Sequence, residues 1–178
     1  MGEFFYIIQQ KSKKINREKI NLQSSLYFPF VFVYNCINGQ GGAETVITFE
    51  EAGAMLDEIA EEIPGEFYRE LNGGIFLLPD VKIHPESPED ARGPENLYIV
   101  GEYHNERTGY GGLGRYIAVY YGSFVKLFGQ IGPKNQKNEL RRVLIHEFTH
   151  HLESLAGEHG LEIKDAETIE QYRRKFVK

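Results

Sequence analysis

The sequence has little of what would place the chain in a membrane, in a disulfide framework or on nucleic acid. It contains one cysteine, Cys36, which excludes an internal disulfide and leads us to expect a reducing, cytoplasmic setting. No apolar run approaches the roughly 18–20 residues that a membrane-spanning helix needs, so no membrane partner is predicted. The formal net charge of -6 argues against general affinity for nucleic acid.

Positive charge is concentrated near the N-terminus. Residues 1–42 contain five lysines and arginines against two glutamates, so this segment carries +3 and the remainder of the chain -9. We therefore divide the chain into a basic N-terminal extension, residues 1–43, and a compact domain, residues 44–178. The glycine-rich stretch 39–42 reads as a linker between them. The extension itself is predicted to be either an added strand or a disordered segment.

The compact domain shows a regular order of predicted elements. Thr48 and Glu51 form a capping box at the start of a helix that ends before Pro64. Further elements follow: strands at Ile75–Leu78, Leu97–Tyr103 and Arg115–Tyr121, a loop at Pro79–Glu95, a helical turn at Ser123–Phe128 and a last helix at Asp165–Phe176. This order predicts an α+β fold with a small, mostly antiparallel sheet packed on helices.

One predicted helix, running from Asn138 to Gly157, contains the pattern HExxH. His146 and His150 are four residues apart, so they share a helix face at roughly 5–6 Å between Cβ atoms and can reach the same metal ion. Glu147 lies about 100° further round the helix. From there it can take a proton from a metal-bound water without binding the metal itself.

The helix cannot supply all the ligands of a catalytic zinc site, which needs three protein ligands and one open position. Glu153 shares the face but lies about 10 Å along the axis from His146, and His151 points about 100° away from His150. The third ligand must come from beyond Gly157, where the chain can turn back. The candidates there are Glu158, His159, Glu162 and Asp165.

From about Thr48 to the C-terminus the chain resembles the small bacterial zincin-like metallopeptidase family. Four segments, in this order, carry the resemblance: Glu61–Phe67 after the capped helix, the strands Leu97–Tyr103 and Arg115–Tyr121, and His146–His151. The resemblance implies a minimal zincin-like domain in which His146 and His150 bind Zn²⁺ and Glu147 is the general base.

The same resemblance suggests a third ligand. Short members of that family run from HExxHH through Phe-Gly to an acidic cluster that begins with Asp. Here Leu152-Glu153 replaces Phe-Gly, and the cluster similar to theirs is Asp165-Ala166-Glu167, so the resemblance implies Asp165 as the third metal ligand.

The expected function is zinc-dependent hydrolysis of peptide bonds in a peptide or protein substrate. We expect a strand at the cleft edge, Arg115–Tyr121, to hold an extended peptide by backbone pairing. The alternative is a non-catalytic metal-binding module with a regulatory or interaction role, in which the metal only stabilises the fold.

Overall fold

The computed structural model describes residues 6–8, 27–32, 46–87, 96–105 and 114–176 of the chain. The strands are β1 Tyr6–Ile8, β2 Tyr27–Phe32, β3 Gly74–Leu78, β4 Lys82–Ile83, β5 Tyr98–Asn105 and β6 Arg115–Tyr120. The α-helices are α1 Phe49–Glu62, α2 Tyr121–Phe128, α3 Pro133–Ala156 and α4 Gly160–Phe176, and a 3₁₀ turn spans Gly65–Tyr68. Cys36 and the connection from β5 to β6 lie outside the described residues.

The strands form one sheet in the order β1-β3-β6-β5-β2, and β4 also pairs with β5. The β3–β6 pair is parallel and the other four pairs are antiparallel, so the predicted α+β architecture with a mostly antiparallel sheet is confirmed. The prediction that Arg115–Tyr121 forms a cleft edge was wrong, because β6 is hydrogen-bonded to β3 on one side and to β5 on the other. A central strand and an edge strand can have the same apolar sequence pattern, so the sequence did not distinguish the two positions.

Two strands of the sheet come from the basic N-terminal extension. β1 pairs with β3 at one end of the sheet, and β2 pairs with β5 at the other. The boundary that charge suggested at residue 43 therefore does not separate the extension from the sheet. Backbone pairing at a sheet edge depends on extended conformation rather than on net charge, so the charge balance carried no information about it.

Helices α1, α2 and α3 pack against the sheet and bury the main core, whereas α4 contributes to a separate small cluster. The fully buried members of the main core include Tyr103, Leu56, Ile59, Leu77, Ile117, Phe124, Leu140 and Leu144. Helix α1 begins with the predicted capping box: Glu51 N donates to Thr48 Oγ1 at 3.2 Å, and Thr48 N donates to Glu51 Oε2 at 2.7 Å. The core thus holds α1 and α3 against the strands that position the candidate site.

Several element boundaries differ from the prediction. Helix α3 begins at Pro133 rather than after Asn138, since proline is favoured in the first turn of a helix, where its missing N–H is not needed. Helix α4 begins at Gly160 rather than at Asp165, and β4 lies within the predicted loop at Pro79–Glu95. Among the described residues, no helix combines the length and the apolarity needed to cross a bilayer.

Candidate metal centre

Helix α3 holds the two histidines of the HExxH pattern in a fixed relation to each other. No proline or glycine interrupts the helix after its first turn, and it ends at Gly157, whose φ of 74° is left-handed. His150 is buried and His146 is partly buried. Their rings approach edge to face, and the two Nε2 atoms are 3.1 Å apart. The four-residue spacing thus brings the Nε2 atoms of the two histidines close together.

The chain reverses after Gly157 and returns Asp165 to the same point. Glu153 helps to fix the start of α4, because its Oε2 accepts a hydrogen bond from Leu161 N at 2.9 Å. Because α4 begins at Gly160, Asp165 lies in its second turn rather than at its N-terminus. Its Oδ2 atom is 3.1 Å from His146 Nε2 and 2.9 Å from His150 Nε2. Glu153 itself stabilises the start of the helix that carries Asp165.

His146, His150 and Asp165 together can hold a metal ion. The three donor atoms form a nearly equilateral triangle with edges of 2.9–3.1 Å. Donors at about 2.0–2.1 Å from a tetrahedral ion such as zinc are separated by roughly 3.3 Å, so the triangle would have to widen by only a few tenths of an ångström to hold an ion of that size. Three protein ligands also leave one position of a tetrahedral ion open.

The protonation of these groups suits a metal site, because metal ligands must be deprotonated. Burial lowers the pKa of His146 more than the neighbouring Asp165 raises it. Burial tends to raise the pKa of Asp165, but its hydrogen bonds with His146 and His150 hold that pKa below its usual value. The group therefore favours a neutral imidazole at His146 beside an ionised carboxylate.

The other candidate ligands lie elsewhere. Glu158 and His159 are exposed, and His159 Nδ1 pairs with Glu162 Oε2 at 2.9 Å. His151 is buried on another face of α3, where Nε2 binds the Arg69 carbonyl oxygen at 2.9 Å and Nδ1 lies 3.3 Å from Tyr103 Oη. His151 therefore joins α3 to β5 and to the segment after the 3₁₀ turn.

Glu147 is completely buried, and neither carboxylate oxygen has a hydrogen-bond partner among the described residues. Burial raises its pKa well above the usual value, and the charges of Asp165 and Glu102 raise it further. Buried carboxylates almost always have partners. Such a carboxylate beside three converging donor atoms fits a site in which a cation or a cation-bound water completes its environment.

Gly101 in β5 is a further residue of the site and was not among the residues predicted from the sequence. A Cβ atom at this position would lie 2.6 Å from Glu147 Oε1 and 2.9 Å from Val143 Cγ1. The missing side chain therefore allows α3 to lie against the strand. The available signal was a glycine inside a strand pattern, which often marks the close approach of another group.

Comparison with known proteins yields a structural relative without an assigned activity. No protein-family model and no curated protein sequence matches the chain. A solved structure, a conserved hypothetical protein from T. thermophilus, matches with 35% sequence identity and a TM-score of 0.50. The match covers 98% of that chain and 62% of this one, so this chain has residues beyond those of its relative. This protein belongs to the same family as that conserved hypothetical protein.

Proposed function

We propose that this protein is a zinc-dependent metallopeptidase with a minimal zincin-like fold. The observation that carries the proposal is the convergence of His146, His150 and Asp165 within 3.1 Å of one another, with Glu147 directly after the first ligand in the sequence. Nitrogen and carboxylate donors in a three-ligand site are typical of catalytic zinc. Among the described residues, the group contains no fourth histidine, cysteine or carboxylate, which favours an open position for water.

Zinc at this site would lower the pKa of a coordinated water and polarise the carbonyl of a scissile peptide bond. Glu147 is the general base: its carboxylate takes a proton from the water that adds to the peptide carbonyl and passes it to the nitrogen of the leaving amine as the C–N bond breaks. His146, His150 and Asp165 keep their lone pairs directed at one point. The burial of Glu147 excludes bulk water from the carboxylate, which strengthens its interaction with nearby charge.

A second candidate function is a non-catalytic metal-binding module. The observation that favours it is the complete burial of Glu147, since a base that no water can reach cannot start hydrolysis. In that case the ion would stabilise the packing of α4 on α3, and the fourth position would be filled by protein or stay inaccessible. The number and type of zinc ligands distinguish the two functions.

The first test is the zinc content of the purified protein and of ligand variants. We expect about one zinc per chain in the parent, and loss of most of it in His146→Ala, His150→Ala and Asp165→Ala. His159→Ala is the matched control, because this exposed histidine lies close in sequence but outside the group, and it should keep its zinc. Equal zinc in all five proteins would refute the assigned ligands.

The second test separates catalysis from metal binding. Glu147→Gln should keep its zinc and lose hydrolysis of a pool of fluorescence-quenched peptides by at least a hundredfold, since a general base contributes about 10²–10⁴ to the rate. X-ray absorption at the zinc edge should show three protein ligands and one additional oxygen. Four protein ligands, with no hydrolysis by the parent, would support the non-catalytic module instead.

A further inference from the structure

Strand β5 packs against the helix that carries the candidate metal centre. Gly101 is the residue of β5 against which Glu147 packs. The inner edge of β5 is paired with β6 and β4. A chain that pairs with the outer edge therefore lies next to the general base.

Strand β2 fills this outer edge. It runs antiparallel to β5, and Phe30 is the backbone partner of Gly101, while Pro29 is the partner of Glu102. The same strand contacts α3, which carries both histidines, and α4, which carries Asp165. Residues 27–32 thus contact every element that contributes to the proposed metal site.

The pairing of β2 has features of a strand that can be exchanged. Proline at position 29 cannot donate a backbone hydrogen bond, which confines it to an edge strand. The register also shifts between Phe30 and Val31, so that Val100 has no partner in β2, and such a bulge disrupts the ladder locally. Both features leave β2 held by fewer regular hydrogen bonds than a strand in the middle of the sheet.

Strand β2 belongs to the same chain as the edge that it covers, and residues 33–45, which join it to the segment before α1, lie outside the described residues. The N-terminal segment is also positively charged, whereas the rest of the chain is negatively charged, which favours its return to the domain. A tethered segment rebinds at a high effective concentration.

The geometry points to the outer edge of β5 as a binding surface for an extended peptide, which residues 27–32 of the same chain occupy as an internal inhibitor. This inference rests on the proposed peptidase function. A substrate peptide would pair with β5 in place of β2, by the strand addition that sheet edges commonly support. The displacement of β2 would also open the buried Glu147 to water.

A reversible cross-link between β2 and β5 tests the inference in the full chain. Phe32 and Tyr98 are backbone partners, and partners in antiparallel strands have Cα atoms about 4.5–5.5 Å apart, within the range for a disulfide. Phe32→Cys and Tyr98→Cys are combined with Cys36→Ser to leave one possible disulfide. Phe32→Cys with Cys36→Ser alone is the control, because it cannot form the bridge.

We expect zinc content to be equal in the oxidised and reduced forms, because the cross-link does not touch the ligands. Hydrolysis of the quenched peptides should fall at least tenfold on oxidation and return on reduction. Hydrogen exchange of residues 98–104, measured by mass spectrometry, should be at least tenfold faster in the reduced form. Exchange in β6 should not change.

A complementary variant should act in the opposite direction. Glycine lowers strand propensity, so Phe28→Gly combined with Phe30→Gly should weaken β2, speed exchange in β5 and increase hydrolysis several-fold over the parent. A gain of activity cannot come from a failure to fold.

The outcomes separate this inference from the peptidase proposal. Equal hydrolysis and equal exchange in the oxidised and reduced forms would overturn the inference, and β2 would then be a permanent strand that protects the sheet edge. Zinc binding without hydrolysis in any form would overturn the peptidase function, and with it the inhibitory role, even if exchange showed that β2 is released.

Discussion

At the scale of single residues, the candidate site depends on the absence of a side chain at Gly101 as well as on its three donor residues. Gly101 leaves the space into which Glu147 and Val143 fit. Protein interiors are close-packed, so an added methyl group at this point must displace either the buried carboxylate or a branched side chain in the core.

We predict that Gly101→Ala lowers the free energy of unfolding by about 1–3 kcal/mol, the usual effect of overpacking. The measurement is the midpoint of chemical denaturation. Gly65→Ala is the matched control, since a Cβ there meets no atom of the described part of the chain within 4 Å, and its stability should stay within about 0.5 kcal/mol of the parent. Equal midpoints for the two variants would contradict the close approach of β5 and α3.

At the scale of secondary structure elements, the decisive feature is the reversal between α3 and α4. The helix carrying His146 and His150 has to end, and the next has to begin within a few residues, for Asp165 to come back beside them. Gly157 ends the first helix in a left-handed conformation, and its backbone N–H donates to Glu153 O. Glu153 then accepts a hydrogen bond from the first turn of α4.

We predict that Gly157→Ala destabilises the protein by about 1 kcal/mol, because a left-handed conformation costs an L-residue with a Cβ atom roughly 1–2 kcal/mol. Apart from the neighbouring residues in the chain, no atom of the described residues lies within 4 Å of the added Cβ, so the expected effect is conformational. Gly157→Asn should cost less, since asparagine tolerates this conformation. Thermal unfolding of the metal-free proteins measures the stability of both variants. Equal losses of stability for alanine and asparagine would contradict this account.

At the scale of the whole molecule, a buried carboxylate links three strands of the sheet. Glu102 in β5 is buried, and its Oε2 accepts hydrogen bonds from Lys82 Nζ in β4 and from Tyr120 Oη in β6, both at 2.5 Å. His104 Nε2 lies 3.4 Å from the same oxygen. Burial alone would raise the pKa of Glu102, but these three neighbours hold it below the usual value.

The lowered pKa of Glu102 predicts how the stability of the fold depends on pH. A carboxyl whose pKa is lower in the folded state stabilises it above the unfolded pKa, and this contribution is lost as the pH falls through the folded pKa. We expect Glu102→Gln to reduce stability at pH 7 by roughly 1–3 kcal/mol. The difference in the free energy of unfolding between this variant and the parent should shrink below about pH 4.

Denaturation curves collected between pH 3 and pH 7 measure this difference. Glu62→Gln is the control, since Glu62 pairs with Arg141 at the exposed surface, where an ion pair contributes about 0–1 kcal/mol. If the free energies of unfolding of Glu102→Gln and the parent differ by the same amount across this range, the ionised Glu102 carboxylate does not stabilise the fold.

Features that depend only on neighbouring residues could be predicted from the amino-acid sequence. The HExxH spacing places His146 and His150 on one face of a helix because the α-helical repeat does so in any context. The capping box at Thr48 and the end of the HExxH helix at Gly157 are likewise local, and both are present as predicted. The general α+β arrangement followed from the order of such local patterns.

Contacts between distant parts of the chain became known only from the folded arrangement. Residue chemistry left Glu158, His159, Glu162 and Asp165 as candidate ligands, and the resemblance named Asp165. Where each lies depends on the angle at which α4 returns to α3, which no local pattern encodes. The central position of β6 and the closeness of Gly101 to Glu147 were undetermined for the same reason. Strand order and helix-to-strand distance depend on packing across the whole core, whereas the sequence patterns report only on residues a few positions apart.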